Sequence, residues 1–376
     1  MRPSSRKMRL FWTGAAGIAV LLCASESMAR MTSRESCQGR PVKGDKPWTD
    51  ARLSPTCRAD LLLESFKSID EKLDVLANPG RSSTWLEMRG LPKLSGADGP
   101  AGIRGLLGVT AFPSPLGVAA SFSAETASAY GHLLGAEFVD AGLSRMGGPA
   151  LDIARTWNFG RTTESFGEDP FLSARMAAAE VKAIQSHHVL AMVKHFAVYT
   201  QEQGRAGDHP LRLKPAANMI VSDRAMREIY LPAFEAAVKE GGAGQILCSF
   251  PRINGIYACE HPKLLGVLKR EWGFDGMVVP DFPDAQRSII AAINAGLDSG
   301  MFVGVANPLS TAPGNALATA TDNSFNGENI RTAVKTRKIS AARIDDLIRR
   351  RVLSEFRIGT FDNPAKRKAD DVSTTA

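Results

Sequence analysis

Short apolar segments alternate with helical segments over much of this chain, and this pattern limits the possible folds more than any other feature. Residues 189–193, 245–248 and 277–279 are apolar runs with the length of fully buried strands. Residues 222–239 place apolar side chains on one helical face, and residues 261–270 are also predicted to be helical. Strands that alternate with helices imply a parallel sheet, because parallel neighbours need a crossover connection between them.

Other helices are predicted from residues at their boundaries. Ser123 is the predicted N-cap of one helix and Gly142 its stop, and Ser340 caps the last helix. An amphipathic helix begins within residues 68–73, and another helix covers residues 284–294.

The length of the chain suits one large domain. A (β/α)8 barrel takes roughly 250 residues, so 376 residues accommodate one barrel. We predict an α/β fold, a (β/α)8 TIM barrel or a close variant, as a single domain over residues 61–364. Residues 30–60 are predicted to be an irregular lead-in, and the charged residues 365–376 a disordered tail.

Residues 1–29 have the pattern of a signal peptide. A basic start is followed by an apolar segment over 10–24 and by small residues near Ala29. The apolar segment is shorter than the roughly 20 residues of a membrane span. We therefore expect export to the periplasm or the extracellular space and no stable membrane span after cleavage; an uncleaved anchor is the alternative.

The net charge limits the possible partners, and the cysteines indicate the compartment. The formal charge is +7, but there is no basic stripe with interleaved aromatic residues, so we expect no nucleic-acid partner. Removal of the signal peptide leaves an even number of cysteines for an oxidising compartment, and the predicted pairs are Cys37–Cys57 and Cys248–Cys259. Four free thiols are the alternative. The spacing gives no metal motif, and we predict neither a metal nor a cofactor.

Asp281 is the first candidate for a catalytic residue. It follows the apolar run 277–279 and Pro280, and an aromatic residue, Phe282, comes next. A polar residue just past the C-terminal end of a barrel strand lies at the mouth, where the chemistry of such barrels takes place. A carboxylate beside an aromatic ring suits a sugar, because the carboxylate can attack or stabilise the anomeric carbon while the ring stacks on C–H groups.

The segment Gly-Phe-Asp-Gly-Met-Val-Val-Pro-Asp281-Phe282 resembles the nucleophile segment of glycoside hydrolase family 3, the β-glucosidase-type retaining glycosidases. The resemblance implies that Asp281 forms a covalent glycosyl-enzyme and that Phe282 stacks the leaving sugar. Pro280 and Phe282 stand where the family usually has Ser and Trp.

Further motifs follow in the order of that family, over about residues 71–364. The resemblance implies that residues in the motifs Asp-Gly-Pro-Ala-Gly-Ile-Arg, Gly-Arg-Thr-Thr-Glu-Ser-Phe-Gly-Glu-Asp-Pro, Lys-His-Phe and Gln-Glu-Gln-Gly-Arg hold the sugar residue that is cleaved. These residues are Asp98, Arg104, Arg161, Lys194, His195 and Arg205. Phe250 stands where the family usually has a Tyr that touches the sugar and the nucleophile.

The chemistry of these side chains fits a polyhydroxylated substrate. Asp98 accepts hydrogen bonds from hydroxyl groups, and cations such as Lys194 and Arg161 donate charge-assisted ones. Nearby cations are also expected to keep Asp281 ionised. Each residue has a structural alternative as well: a helix cap for Asp281, a core position for His195, and ion pairing or packing for the others.

The source of the catalytic proton is open. Retaining glycosidases need a second carboxyl group or its equivalent as general acid/base, and larger members of the family take it from a C-terminal domain for which we expect no counterpart in this chain. One explanation is His209, in the pair Asp208-His209, as in a β-N-acetylglucosaminidase-like single-domain enzyme. A second is a separate polypeptide that supplies the acid, and a third is a barrel without activity.

The sequence thus predicts an exported retaining glycoside hydrolase. We expect β-glucosidase-like hydrolysis of β-linked oligosaccharides or glycosides at the non-reducing end, through a covalent glycosyl-Asp281 intermediate. A non-catalytic or partner-dependent sugar-binding barrel is the alternative from a different class.

Overall fold

A parallel β-sheet with helices packed against it forms the centre of the molecule. The computed structural model describes residues 37–40, 42–77, 84–207, 214–281, 285–299 and 327–366. In these residues the main sheet has five parallel strands in the order β1-β2-β3-β5-β8, and a small second sheet has the order β4-β6-β7. The strands are β1 (Gly96–Asp98), β2 (Arg145–Ala150), β3 (Leu190–Phe196), β4 (Asn218–Met219), β5 (Gln245–Cys248), β6 (Arg252–Ile253), β7 (Ile256–Tyr257) and β8 (Met277–Pro280).

The helices begin and end mostly at the predicted boundary residues. Ser123 and Ser340 cap their helices by accepting backbone N–H groups, and Gly359 has the left-handed conformation that ends the last helix. The segment 222–239 is interrupted at Leu231, where Pro232 begins a new helix. The helices are α1 (Pro55–Glu64), α2 (Ile69–Ala77), α3 (Thr84–Met88), α4 (Pro115–Ala119), α5 (Ala124–Asp140), α6 (Pro170–Gln185), α7 (Pro232–Lys239), α8 (Pro262–Gly266), α9 (Ile289–Ala295), α10 (Gly327–Lys335) and α11 (Ala341–Ile358).

Three boundaries differ from the sequence pattern. Helix α1 begins at Pro55, inside the predicted irregular lead-in 30–60, because Ser54 caps it and Pro55 fits its first turn. Helix α9 begins at Ile289 rather than at residue 284. Strands β1 and β2 lie in segments that the apolar pattern does not identify as strands.

Both faces of the central strands are buried. Alternate residues such as Val193, Ile246 and Val278 belong to the large core shared with the helices. Their neighbours Leu247 and Val279 belong to a separate small cluster on the opposite face. A wall with helices outside and packed side chains inside is the arrangement of an α/β barrel.

A buried carboxylate outside the sheet, that of Asp298, is hydrogen-bonded to the backbone of β8. The backbone N–H of Asp298 donates to Val278 O at 2.9 Å, and the carboxylate of Asp298 accepts the N–H of Val278 at 2.9 Å. Lys269 and Arg343 pair with the same buried carboxylate. Asp298 therefore fixes the position of the strand that leads to Asp281.

Both predicted disulfides are present. Cys37–Cys57 joins the lead-in to α1 with a Cα–Cα distance of 4.7 Å, and Cys248–Cys259 closes a loop after β5 with a distance of 5.4 Å. No helix in the described ranges has both the length and the apolar character that crossing a bilayer requires.

Candidate active site

The predicted residues lie at one edge of the sheet. Asp98 is the last residue of β1, and Asp281 directly follows β8. Lys194 and His195 lie near the C-terminal end of β3. Because parallel strands end at the same edge, these four side chains converge there.

Asp98 is held by two cations. The ammonium group of Lys194 donates to Asp98 Oδ1, and Arg104 Nη1 lies 2.9 Å from Asp98 Oδ2. Burial opposes ionisation of Asp98, but the positive charges of Lys194 and Arg104 outweigh it, so the pKa of Asp98 lies below its usual value. Asp98 is therefore an ionised hydrogen-bond acceptor at the edge of the sheet.

Asp281 is almost completely buried, beside a histidine that is fixed from its other side. His195 Nε2 lies 3.7 Å from Asp281 Oδ2, while His195 Nδ1 lies 2.7 Å from Asp152 Oδ2. An ionised carboxylate only accepts hydrogen bonds, so Nδ1 donates to Asp152. The imidazole ring is thus oriented with Nε2 facing Asp281.

Burial has the largest effect on the pKa of Asp281. Burial raises the pKa of Asp281. Four positive charges oppose this rise without reversing it, those of His195, Arg205, Lys194 and Arg161. The pKa of Asp281 thus lies above that of an ordinary aspartate, and the expectation that nearby cations keep it ionised stays a prediction.

The side chains of Arg161 and Arg104 both pair with the carboxylate of Glu164, which lies in the loop after β2. Arg161 donates to both oxygens of Glu164, from Nη2 at 2.8 Å and from Nε at 3.2 Å. Arg104 Nη2 lies 3.0 Å from Glu164 Oε1. Burial would raise the pKa of Glu164, but Arg161 and Arg104 lower it to about 2. Glu164 thus joins Arg161 to Arg104 in this loop.

A second polar cluster follows β3. The hydroxyl of Tyr199 donates to Glu202 and accepts from Arg205 Nη1 at 2.8 Å. Arg161 Nη1 lies 3.5 Å from the same hydroxyl. The ring of Tyr199 packs against His195, with 4.9 Å between the ring centroids. Tyr199 therefore links two of the predicted sugar-binding arginines to the histidine beside Asp281.

Of the two aromatic residues predicted to contact the sugar, Phe250 lies within the described residues and Phe282 does not. Phe250 is buried, and the guanidinium carbon of Arg205 lies 5.1 Å from its ring centroid, the geometry of a cation–π contact. Phe282 and the pair Asp208-His209 lie outside the described residues, so their roles stay predictions.

Sequence reasoning missed Asp152, Tyr199 and Glu202. Asp152 lies two residues past the end of β2, the kind of position that identifies Asp281 at the end of β8. Recognising β2 as a strand would have identified it. Tyr199 and Glu202 follow the Lys-His-Phe motif closely, but no pattern in the sequence shows that they join Arg161 to Arg205.

Within the described ranges, each carboxylate that surrounds Asp281 is paired with a positively charged or hydrogen-bond-donating side chain. The pairs are Asp98 with Lys194, Asp152 with His195, Glu164 with Arg161 and Glu202 with Arg205. A general acid must hold a proton near the operating pH. The cationic partners of Asp98 and Glu164 lower the pKa values of these two carboxylates, so both are poorly suited to that role. No group of three His, Cys, Asp or Glu side chains in this part of the chain could hold a metal ion.

The sequence profile of the Glycosyl hydrolase family 3 N terminal domain matches residues 65–354. The chain therefore belongs to glycosyl hydrolase family 3. Its membership agrees with the parallel sheet and with the order of the site motifs along the chain.

Two curated relatives illustrate the similarity. A beta-glucosidase from Rhizobium radiobacter is 33% identical over 317 residues, which are 82% of this chain and 35% of the relative. Beta-glucosidase 1 from Saccharomycopsis fibuligera is 34% identical over 283 residues, which are 72% of this chain and 30% of the relative. The chain thus spans about a third of the length of these relatives.

Solved structures show the same fold. Beta-glucosidase 3B from Thermotoga neapolitana, in complex with alpha-D-glucose, superposes with a TM-score of 0.69 at 29% identity, over 84% of this chain and 45% of that one. DesR, a beta-glucosidase from Streptomyces venezuelae in complex with D-glucose, gives a TM-score of 0.69 at 30% identity, over 85% and 40% of the two chains. The predicted TIM-barrel-like α/β fold is therefore confirmed.

Proposed function

We propose that this chain carries the nucleophile and the sugar-binding residues of an exported retaining glycoside hydrolase that resembles beta-glucosidases. The observation that carries the proposal is Asp281, a buried carboxyl group 3.7 Å from an imidazole that Asp152 holds in one orientation. The beta-glucosidases among its relatives support a β-linked glucoside as the substrate.

In the proposed first step, a carboxylate oxygen of Asp281 attacks the anomeric carbon. The bond from that carbon to the leaving oxygen breaks, its electron pair goes to the leaving oxygen, and a proton supplied to that oxygen completes the departure. Water then attacks the anomeric carbon and gives one proton to the base that remained when the leaving oxygen was protonated, and the bond to Asp281 breaks so that Asp281 is released as a carboxylate. Two displacements at one carbon retain its configuration.

The neighbouring residues suit the binding of the sugar ring. Asp98 is ionised and accepts hydrogen bonds, while Lys194, Arg161 and Arg205 carry donors around the same edge of the sheet. An arginine has five N–H donors in a fixed geometry, so ion pairing with a carboxylate leaves donors that a hydroxyl group can use. A site of this kind discriminates against analogues that lack the hydroxyl groups.

The proton for the leaving oxygen is proposed to come from outside the described residues. Cations lower the pKa values of Asp98 and Glu164, which supports a different source. His209 is one candidate and a separate polypeptide is the other. If a partner supplies the acid, the chain alone is a sugar-binding barrel with a nucleophile, and this is the second candidate function.

Export is part of the same proposal. The disulfides Cys37–Cys57 and Cys248–Cys259 suit an oxidising compartment such as the periplasm or the extracellular space. The basic and apolar residues 1–29 are the segment that would direct export.

Trapping of the covalent intermediate tests the nucleophile. The purified chain is treated with 2,4-dinitrophenyl 2-deoxy-2-fluoro-β-glucoside, whose fluorine slows the second displacement so that the glycosyl ester accumulates. We expect one fluoroglucosyl group per chain, located by peptide mass spectrometry on the peptide that contains Asp281. Asp281→Ala should not be labelled, and Asp275→Ala is the matched control, because Asp275 lies in the same segment and pairs with Arg357 at the surface. A label on another carboxylate would overturn the assignment.

A further inference from the structure

A disulfide-closed loop is hydrogen-bonded to the backbone of Asp281 and, through the residue that follows it, to the backbone of residues 287 and 288. The bond Cys248–Cys259 closes a loop that contains strands β6 and β7, and Glu260 follows it directly. We propose that this closed loop and Glu260 position Asp281 for attack. The proposal rests on the proposed function for the role of Asp281, and it assigns a positioning role to Glu260 and to the disulfide.

The first contact is with the backbone of Asp281. The carbonyl oxygen of Cys248 accepts the backbone N–H of Asp281 at 2.9 Å, and Cys248 pairs with Pro280 in the register of β5 and β8. The half-cystine therefore carries the backbone partner of the proposed nucleophile. Any shift of Cys248 along its strand moves the acceptor for the N–H of Asp281.

The second contact is with the backbone of residues 287 and 288. One oxygen of the Glu260 carboxylate accepts two consecutive backbone N–H groups, those of Arg287 and of Ser288, the latter at 2.6 Å. Hydrogen bonds from N–H groups to a carboxylate are stronger than those between neutral groups. The side chain of Arg287 also stacks on Tyr257 of β7, with 5.0 Å from the guanidinium carbon to the ring centroid. The residues just before helix α9 are thus attached to the closed loop by backbone and side chain.

The disulfide connects these two points of contact. Cys259 is adjacent to Glu260, and Cys248 carries the acceptor for Asp281, so the sulfur–sulfur bond fixes the distance between the two attachment points. Both half-cystines are fully buried, which leaves them little room to move. The same loop includes Phe250, which packs against Arg205, so it also touches the predicted sugar-binding cluster.

The second disulfide of the chain provides a matched comparison. Cys37–Cys57 closes a loop in the lead-in and packs with Leu53, and its loop is longer, with a sequence separation of 20 against 11 for Cys248–Cys259. A purely general stabilising effect of disulfides grows with the length of the closed loop. The positioning proposal predicts the opposite ranking for catalysis, with the shorter loop more important.

The experiment compares four variants of the full chain: Cys248→Ala/Cys259→Ala, Cys37→Ala/Cys57→Ala, Glu260→Ala and Glu260→Gln. Hydrogen–deuterium exchange is followed in the peptides that contain Asp281 and residues 287–288, and kcat and KM are measured with 2,4-dinitrophenyl β-glucoside. We expect faster exchange at these amides in Cys248→Ala/Cys259→Ala and in Glu260→Ala. Their kcat should fall at least ~10-fold with KM changed less than ~3-fold, because misplacement of a reacting group by about 1 Å can cost ~10²-fold in rate.

Glu260→Gln is the conservative rescue. Its amide oxygen can still accept both N–H groups, so exchange and kcat should stay close to those of the unmodified chain. A loss equal to that of Glu260→Ala would show that the acceptor geometry is not what matters and would overturn the role of Glu260.

The remaining outcomes are also decisive. Exchange and kcat in Cys248→Ala/Cys259→Ala that match Cys37→Ala/Cys57→Ala would overturn the role of the disulfide. If Cys248→Ala/Cys259→Ala does not fold, the Glu260 pair still decides the positioning. Absence of turnover in the unmodified chain would count against the proposed function, while the exchange comparison would still confirm or overturn the contacts with the backbone of Asp281 and of residues 287 and 288.

Discussion

Two aspartates at the same edge of the sheet have opposite shifts in pKa. Asp98 contacts Lys194 and Arg104 directly, and these charges more than offset its burial, so its pKa is lowered. Asp281 lies 3.7 Å from a nitrogen of His195, and burial raises the pKa of Asp281. Different surroundings thus separate the two carboxylates, in agreement with the proposed binding role of Asp98 and the proposed nucleophilic role of Asp281.

The pH dependence of turnover should report this balance. Arg205 is one of the positive charges that lower the pKa of Asp281, so Arg205→Gln should raise that pKa further. Because the nucleophile must be ionised, the acidic limb of the kcat/KM profile should move to higher pH, beyond any loss of rate from weaker sugar binding. Arg175→Gln is the control, since Arg175 pairs with Glu240 at the surface. An acidic limb at the same pH in Arg205→Gln and in the unmodified chain would contradict the prediction.

Among the strands of the main sheet, β3, β5 and β8 were predictable, and the glycine-containing strands β1 and β2 were not. Strands β3, β5 and β8 are apolar runs buried on both faces, which the sequence shows directly. Strand β2 contains Gly147, where a Cβ would lie 2.8 Å from Asp98 Oδ1. A residue without a side chain is required there by contact with the site, and that requirement hides the strand from a pattern of apolar residues.

The start of helix α9 also could not be predicted from the residues next to it in the sequence. The sequence predicts a helix from residue 284, but Ser288 caps a helix that begins at Ile289. The N–H groups of Arg287 and Ser288 are bound by Glu260, about 27 residues earlier in the chain. A contact so distant in sequence leaves no signal in the residues that it holds.

The interface between helices α5 and α6 contains a buried acid. Glu180 is fully buried, neither of its carboxylate oxygens has a hydrogen-bond partner in the described part of the chain, and burial raises its pKa to about 8. The folded state thus holds a proton that the unfolded chain releases above about pH 4.5, so stability is full below that pH and is lost as the pH rises through 8.

Glu180→Gln should remove this pH dependence. The amide has the shape of the protonated acid and does not ionise, so the variant should match the unmodified chain near pH 4.5 and exceed it in free energy of unfolding at pH 8. A shift of this size corresponds to about 3–5 kcal/mol at ~1.4 kcal/mol for each pKa unit. Urea denaturation at a series of pH values measures it, and parallel curves for the two proteins would contradict the prediction.

Helix α11 is fixed to the sheet by a buried ion pair. Arg145 of β2 reaches Glu355 with Nη2–Oε1 at 2.5 Å, and both side chains are almost completely buried. Removal of one partner leaves the other charge buried and unpaired, so Glu355→Ala should lower the free energy of unfolding by about 3–5 kcal/mol. Asp275→Ala breaks the exposed pair with Arg357 on the same helix and should cost less than ~1 kcal/mol. Equal losses in the two variants would show that burial of the pair is unimportant.

In the molecule as a whole, the sheet gathers the proposed nucleophile and the proposed sugar-binding groups, and it also places carboxylates in contact with cations. Asp98, Glu164 and Glu202 each contact an arginine or lysine in the described residues. The motifs identify Asp281 and the cations as candidates, because each lies in a continuous stretch of sequence. The pairing among the charged residues joins four separate stretches, and only the folded chain shows that it lowers the pKa values of Asp98 and Glu164 and so opposes their role as proton donors.

The dependence of rate on the leaving group should therefore reveal the source of the proton. A dinitrophenolate departs without a proton, whereas the sugar alkoxide of cellobiose needs one, and general acid catalysis is typically worth ~10²–10⁴ in rate. We expect the purified chain to hydrolyse 2,4-dinitrophenyl β-glucoside with a kcat/KM at least ~10²-fold above that for cellobiose, with Asp281→Ala inactive on both. Comparable rates on the two substrates would contradict this expectation and place the acid within the chain. His209→Ala then identifies it, because loss of the acid lowers the rate on cellobiose far more than the rate on the aryl glucoside.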